Sequence, residues 1–202
     1  LVDPVPLHVE QAAATAAAQP DHPFTAAVGD GRQLAEPDTS FDALLLFGPL
    51  YHLTERGDRL ASLDEARRVL RPGGVALIQT ISRFGTLLDG VRQGYFGDPE
   101  AAQVIEETLR SGQNRNPGSD RFPRWFTTAY FHQPAELAAE IAESGLILEA
   151  IIGVEGPAGF VGNGWDDPQQ RPHLLRAAGL VEQEPSLLGL SPHLLAVARK
   201  SH

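Results

Sequence analysis

Asp42-Ala43-Leu44-Leu45-Leu46-Phe47-Gly48-Pro49-Leu50-Tyr51-His52-Leu53 decides the fold. Eighteen residues beyond its end stands Arg71-Pro72-Gly73-Gly74, followed by Val75-Ala76-Leu77-Ile78. Short apolar runs without alternation suit strands covered on both faces. They predict one strand over Phe41 to Leu46 and another from Val75 to about Ile81. Between them, Leu60, Leu63, Ala66, Arg67 and Leu70 fall at helical spacing, predicting a helix from Glu55 to Leu70 with Thr54 as N-cap. Pro72, Gly73 and Gly74 are expected to end it. Such βαβ units build parallel sheets whose ligands sit at the carboxyl ends of the strands. Chemistry is therefore expected at Phe47 to Leu53.

On the N-terminal side, the Ala-rich stretch Val5 to Ala18 reads as a helix and Phe24 to Val28 as a short strand, closed by the turn Gly29-Asp30-Gly31. On the C-terminal side, helices are expected over Phe84 to Gln93 and Pro99 to Arg110. The polar segment Ser111 to Arg124 is expected to be a mobile loop, with Arg115 and Arg121 in solvent. A helix starting at Gln133-Pro134 and stopped by Gly145, a strand over Leu146 to Val154, a glycine-rich loop from Gly153 to Gly164, a helix over Pro168 to Glu184 and a last strand over His193 to Arg199 complete the chain.

Composition narrows the chemistry. With a net charge of -10 and one lysine, Lys200, the chain lacks the basic run that neutralises phosphates, so no nucleic-acid partner is expected. The absence of Cys rules out disulfides, thiolate metal sites and a Cys nucleophile. No His–Glu spacing resembles a metal site, so no metal is expected. No apolar stretch approaches the roughly 20 residues of a membrane span, so no membrane partner is expected. The chain reads as cytoplasmic, monomeric or homodimeric.

A strand beginning Phe41-Asp42-Ala43, the loop Leu50-Tyr51-His52-Leu53 and the helix end Leu70-Arg71-Pro72-Gly73-Gly74 resemble the fourth to fifth strands of class I S-adenosylmethionine-dependent methyltransferases. Leu1-Val2-Asp3 resembles the tail of that family's second strand. Val28 to Leu34 resembles the segment after its third strand, and Trp125 to His132 and Ser191 to Arg199 resemble the lid and last strand of one bacterial, small-molecule branch. The resemblance implies an α/β, Rossmann-like, doubly wound and mainly parallel seven-stranded sheet. The last strand would be antiparallel, between the fifth and sixth. Residues 1–81 would form the cofactor-binding core, 82–134 a helical lid and 135–202 the rest of the core. The family's first strand and the glycine-rich loop after it have no counterpart here. The expectation is therefore of a chain lacking about 40 residues, the size of a strand, loop and helix.

The cofactor so implied is S-adenosylmethionine and the partner a small-molecule acceptor. Asp3, with Pro4 beside it, would hold the ribose hydroxyls; its other reading is an N-cap. Asp30, with Gly29 and Gly31, would meet the adenine, or simply form an Asp-Gly turn. Phe47 and Gly48 would face the amino-acid end, and Leu50 would pack on the cofactor. Methyl transfer is an in-line displacement needing alignment and exclusion of water, with a base where the acceptor must lose a proton. His52 and His132 are the candidate bases; each could instead hold structure together. Arg83, Phe84, Trp125 and Tyr130 are candidate acceptor contacts, with Arg83 alternatively paired to Asp89 or Glu136. Two other readings stay open: a non-catalytic binding or regulatory protein on the same fold, and a nicotinamide-dependent oxidoreductase, since Asp3 suits ribose there too.

Overall fold

The computed structural model describes residues 1–116, 118, 120–160 and 162–202. Pro117 and Ser119, within the expected Ser111 to Arg124 loop, and Val161, within the expected Gly153 to Gly164 loop, lie outside the described residues. In chain order the elements are β1 (Val2–Asp3), α1 (Pro6–Ala18), β2 (Ala27–Val28), β3 (Phe41–Phe47), α2 (Pro49–His52), α3 (Arg56–Val69) and β4 (Leu70–Ile81). They continue with α4 (Arg83–Gln93), α5 (Pro99–Ser111), β5 (Gln113–Asn114), β6 (Ala129–Tyr130), α6 (Pro134–Glu143), β7 (Leu146–Gly153), α7 (Arg171–Val181) and β8 (His193–Lys200). Among the described residues no helix is long and apolar enough to cross a membrane.

The central apolar runs pair as parallel strands, Ala43 to Phe47 against Val75 to Gln79. β8 runs antiparallel between β4 and β7, giving a sheet in the order β3-β4-β8-β7. Leu46, Ile78, Leu194, Ala196 and Ala198 project from one face of this sheet into a core completed by Leu63, Leu137 and Ile141 of α3 and α6. Burying side chains of this size removes roughly 1.5–3 kcal/mol each from water, so this face fixes the register.

Four expectations are corrected. The sheet is not one continuous seven-stranded array: β1 and β2 form a separate parallel pair, and no described strand pairs with the free edge of β3. Helices do not cover both faces of β3 either. Ala43, Leu45 and Phe47 are exposed on its second face, Leu45 at 63%, because α1 packs on β1 and β2 and buries none of its own residues. Finally, Pro72 does not break a helix. The helix has already ended at Val69, and Arg71 to Gly74 form a bulge between the pairs Phe41–Leu70 and Ala43–Val75. Gly73 sits there at φ 77°, a left-handed conformation that suits glycine. Thr54 is not the cap: Glu55 holds that position without a side-chain bond, and the Thr54 carbonyl instead accepts from Arg59 and Gln113.

Candidate functional site

The carboxyl ends of β1, β2 and β3 converge. The Asp3 carboxylate closes β1, accepting from the Val5 backbone N–H at 2.8 Å and lying 3.2 Å from His8 Nδ1. Both contacts use Oδ1, so Oδ2 is uncommitted among the described residues. Gly29 donates to the Asp3 carbonyl. An added Cβ at Gly29 would come within 2.7 Å of Val2, and one at Gly31 within 3.2 Å of Pro49, so the β2 turn is pressed against both neighbours. Gly48 ends β3 at φ 132° with open space around it. Only glycine adopts that backbone freely; its carbonyl accepts from the backbone N–H groups of Tyr51 and His52, while the space beside its Cα stays open. Asp3 also acts on His52: burial lowers the imidazole's pKa and the Asp3 charge pulls it back up.

Asp30 is engaged as well. Both its oxygens bind Arg32, which reaches on to Asp58 at 3.0 Å. The Arg32 guanidinium and backbone N–H hold the Asp30 carboxyl below its ordinary range. It remains nearly half exposed, so an edge of it is open to a ligand. Pro4 is exposed beside Asp3 and Phe47 is 49% exposed. Leu50 is a correction: it is fully buried in the core against Leu46 and Leu63 and faces no open space.

A cavity of about 300 Å³ opens over the carboxyl end of β4. Its walls include Tyr95, Trp125, Phe126, Phe131 and Phe160. Tyr95 stacks on Trp125 at 5.0 Å, and the Trp125 indole N–H donates to Asn114. Phe126 stacks on His52, with ring centres 6.2 Å apart, so the cavity wall touches the loop that follows β3. Arg121 keeps its side chain largely in solvent, as expected, while pairing with Asp98 and Glu100 at the start of α5.

Of the acceptor contacts named from sequence, only Trp125 lines this cavity. Phe84 lies against Gly189. Arg83 is buried and committed to Glu136 at 2.5 Å, the Tyr130 hydroxyl at 3.1 Å and the Phe131 carbonyl. Tyr130 is buried, with the Arg59 guanidinium 3.6 Å above its ring. His132 is wholly enclosed, its Nε2 3.2 Å from Glu140, which is itself gripped by Arg59 at 2.7 Å. Arg59, Arg83, Tyr130, His132 and Glu140 brace α3, α4, β6 and α6 from inside. Burial lowers the pKa of His132 despite its bond to Glu140, leaving the imidazole neutral. Among the described residues no group of three or more His, Asp or Glu is placed to hold a metal ion.

Sequence reading missed a second histidine site. His193 opens β8 beside Ile81, the last residue of β4, and lines the cavity. Its Nδ1 lies 2.6 Å from Glu155, just beyond β7. Their separation of 38 positions hides the pair from any local pattern. The strand register alone could have found it, by placing the start of β8 against the end of β4.

Residues 1–74 match the protein family described as "Methyltransferase domain". A demethylmenaquinone methyltransferase from Corynebacterium glutamicum (strain R) is 30% identical over 142 residues, 64% of this chain and 52% of that protein. The chain thus spans about half the length of this curated relative. A solved S-adenosylmethionine-dependent methyltransferase from Methanosarcina mazei superposes with a TM-score of 0.62 at 16% identity, over 99% of this chain and 80% of its own. A solved 4+2 cyclase, SpnF, superposes with a TM-score of 0.54 at 17% identity, over 99% and 64%. The fold is that of the class I S-adenosylmethionine-dependent methyltransferases, with a mixed parallel and antiparallel sheet and helical insertions.

Proposed function

We propose that this chain acts as an S-adenosylmethionine-dependent methyltransferase on a small-molecule acceptor. The carrying observation is the meeting of Asp3, the Gly29 to Gly31 turn and the open, left-handed Gly48 at one end of the strands, beside a ring-lined cavity. The residues present fit the cofactor. Asp3 has a free carboxylate oxygen for a ribose hydroxyl, Asp30 and Gly31 offer an exposed acceptor and a close backbone for adenine, and Gly48 leaves room for the amino-acid end. When bound, the cofactor supplies an electrophilic methyl group on a sulfonium. Pro4, Gly29 and Phe47 flank the same surface.

The acceptor belongs in the cavity over β4. Residues 82–134 act as its cover: α4, α5 and the aromatic stack of Tyr95, Phe122 and Trp125 close one side, and a site that excludes water favours transfer to the acceptor over loss to solvent. Fold alone does not decide the reaction, since a 4+2 cyclase shares it. The two aspartates and the open space beside Gly48 favour a nucleoside-bearing cofactor. The relative named for demethylmenaquinone and the flat, aromatic walls both favour a ring-bearing acceptor.

Calorimetry with S-adenosylhomocysteine tests this reading. Binding is expected, and Asp3→Ala is expected to weaken it tenfold or more, the loss of a charged hydrogen bond being about 1.5–3 kcal/mol. Equal affinity in wild type and variant, or no binding by the protein carrying this chain, would overturn it.

A further inference from the structure

We infer that Glu155 and His193 form an orienter–base pair, and that His193 Nε2 accepts the proton of a hydroxyl on a flat aromatic acceptor held in the cavity over β4. The inference rests on the reading of that cavity as the acceptor site. The geometry is that of a built pair. Glu155 Oε1 takes His193 Nδ1 at 2.6 Å. Glu155 Oε2 accepts from the Ser191 hydroxyl at 3.0 Å and from the His193 backbone N–H at 3.1 Å. Ser191 in turn accepts from the backbone N–H groups of Glu155 and Gly156. The carboxylate therefore cannot rotate without breaking three bonds. It fixes the imidazole as the Nδ1–H tautomer and leaves the Nε2 lone pair free, the arrangement by which a third group orients a base.

His193 is accessible where His132 is not. Its side chain keeps 38% exposure, and it lines both the ring-walled cavity and a shallower depression bounded by Val154, Trp165 and Leu175. Glu155 stays ionised: burial opposes its charge, but the bonds from His193 and Ser191 hold its pKa below the ordinary carboxylate range.

The walls state the substrate class. Five aromatic side chains around about 300 Å³ suit one flat ring system better than a flexible chain. Arg124, an exposed residue of the same lining, makes no ion pair among the described residues and suits an acidic substituent on that ring. In the reaction, the hydroxyl O–H bond breaks and its proton adds to Nε2. The electron pair left on oxygen forms the new bond to the methyl carbon, whose former bonding pair remains on sulfur. The imidazolium then returns its proton to water.

The wild-type protein, labelled with 15N, reports the tautomer directly through long-range nitrogen–proton correlations. A protonated Nδ1 and bare Nε2 are expected at His193; an Nε2–H tautomer would overturn the inference. Titrations with 4-nitrophenol and with 4-nitroanisole, which has no proton to give, then separate a base from a packing residue. His193→Phe is expected to weaken 4-nitrophenol at least tenfold and 4-nitroanisole by less than twofold. Equal losses, or no binding of either compound by the wild type, would also overturn it. S-adenosylhomocysteine should bind both forms alike. If it binds neither while the two nitro compounds are still discriminated, the methyltransferase reading fails and the proton-accepting pair stands.

Discussion

Glu140 keeps its charge among buried side chains, where Arg59 and His132 answer it. Burial alone would raise its pKa, but bonds from His132 and Arg59 hold it down at about 2 against an ordinary 4.5. His132 is also depressed, by burial. Both folded values lie below the ordinary ones, so the stabilisation is present above those ordinary values and is lost as pH falls. The first loss begins below 6.5 as His132 protonates, and the second runs from 4.5 to about 2 as Glu140 does. Glu140→Gln leaves Arg59 buried with a neutral partner. It is expected to remove the second window and to destabilise the fold by roughly 3–5 kcal/mol at neutral pH. Denaturant melts of both forms at pH 7 and pH 3 check this, and a difference under about 1 kcal/mol at pH 7 would contradict it. In sequence, the dense Trp125 to His132 run drew attention to His132, yet density of aromatics signals a core as readily as a site. What separates His132 from His193 is enclosure, and enclosure is set by α6, which follows His132 directly, together with α3, far away in the chain.

At the scale of elements, α5 and its neighbours are held by glycines of unlike kinds. Gly94 and Gly112 both cap helices in the left-handed region, at φ 73° and 79°. An added Cβ at Gly94 meets nothing, whereas at Gly112 it would strike Arg83 at 2.5 Å, Tyr130 at 2.7 Å and the Phe131 carbonyl at 2.9 Å. Gly94→Ala is expected to cost only the backbone strain of about 1–2 kcal/mol. Gly112→Ala is expected to cost clearly more, because it also pushes on the buried Arg83–Tyr130 contact. Thermal melts of the two variants compare them directly, and equal shifts would contradict the packing account. The elements themselves were largely legible. Phe41 to Leu46, Val75 to Ile81, Leu146 to Val154 and His193 to Arg199 are all strands, because uninterrupted apolar runs bounded by turn residues have few other homes. The strand expected over Phe24 to Val28 shrinks to Ala27–Val28, where it meets only β1. The bulge at Arg71 to Gly74 was not legible, since Pro-Gly-Gly reads equally as a helix stop.

At the scale of the whole molecule, the sheet is divided. β1 and β2 stand apart from β3-β4-β8-β7, yet Gly31 rests on Pro49 and the charge of Asp3 reaches His52. Side-chain packing and charge thus hold the strand ends together where hydrogen-bonded strands do not. Asp3 and Asp30 stood out in the sequence because an acidic residue at a strand end can accept from ribose hydroxyls, although each also suits a cap or a turn. The cavity over β4 was not visible in the sequence, because its walls come from five separated parts of the chain: Ile81 to Tyr95, Asn114, Arg124 to Phe131, Gly159-Phe160 and Pro192-His193. We propose that the strand ends of β1, β2 and β3 form one nucleoside site opening toward that cavity. A crystal structure of the protein carrying this chain with S-adenosylhomocysteine tests it most directly. The account predicts ribose at Asp3, adenine beside Asp30 and Gly31, the amino-acid end on Gly48, and the sulfur turned toward Phe126. A nucleoside seated away from both aspartates, or none bound at all, would contradict it.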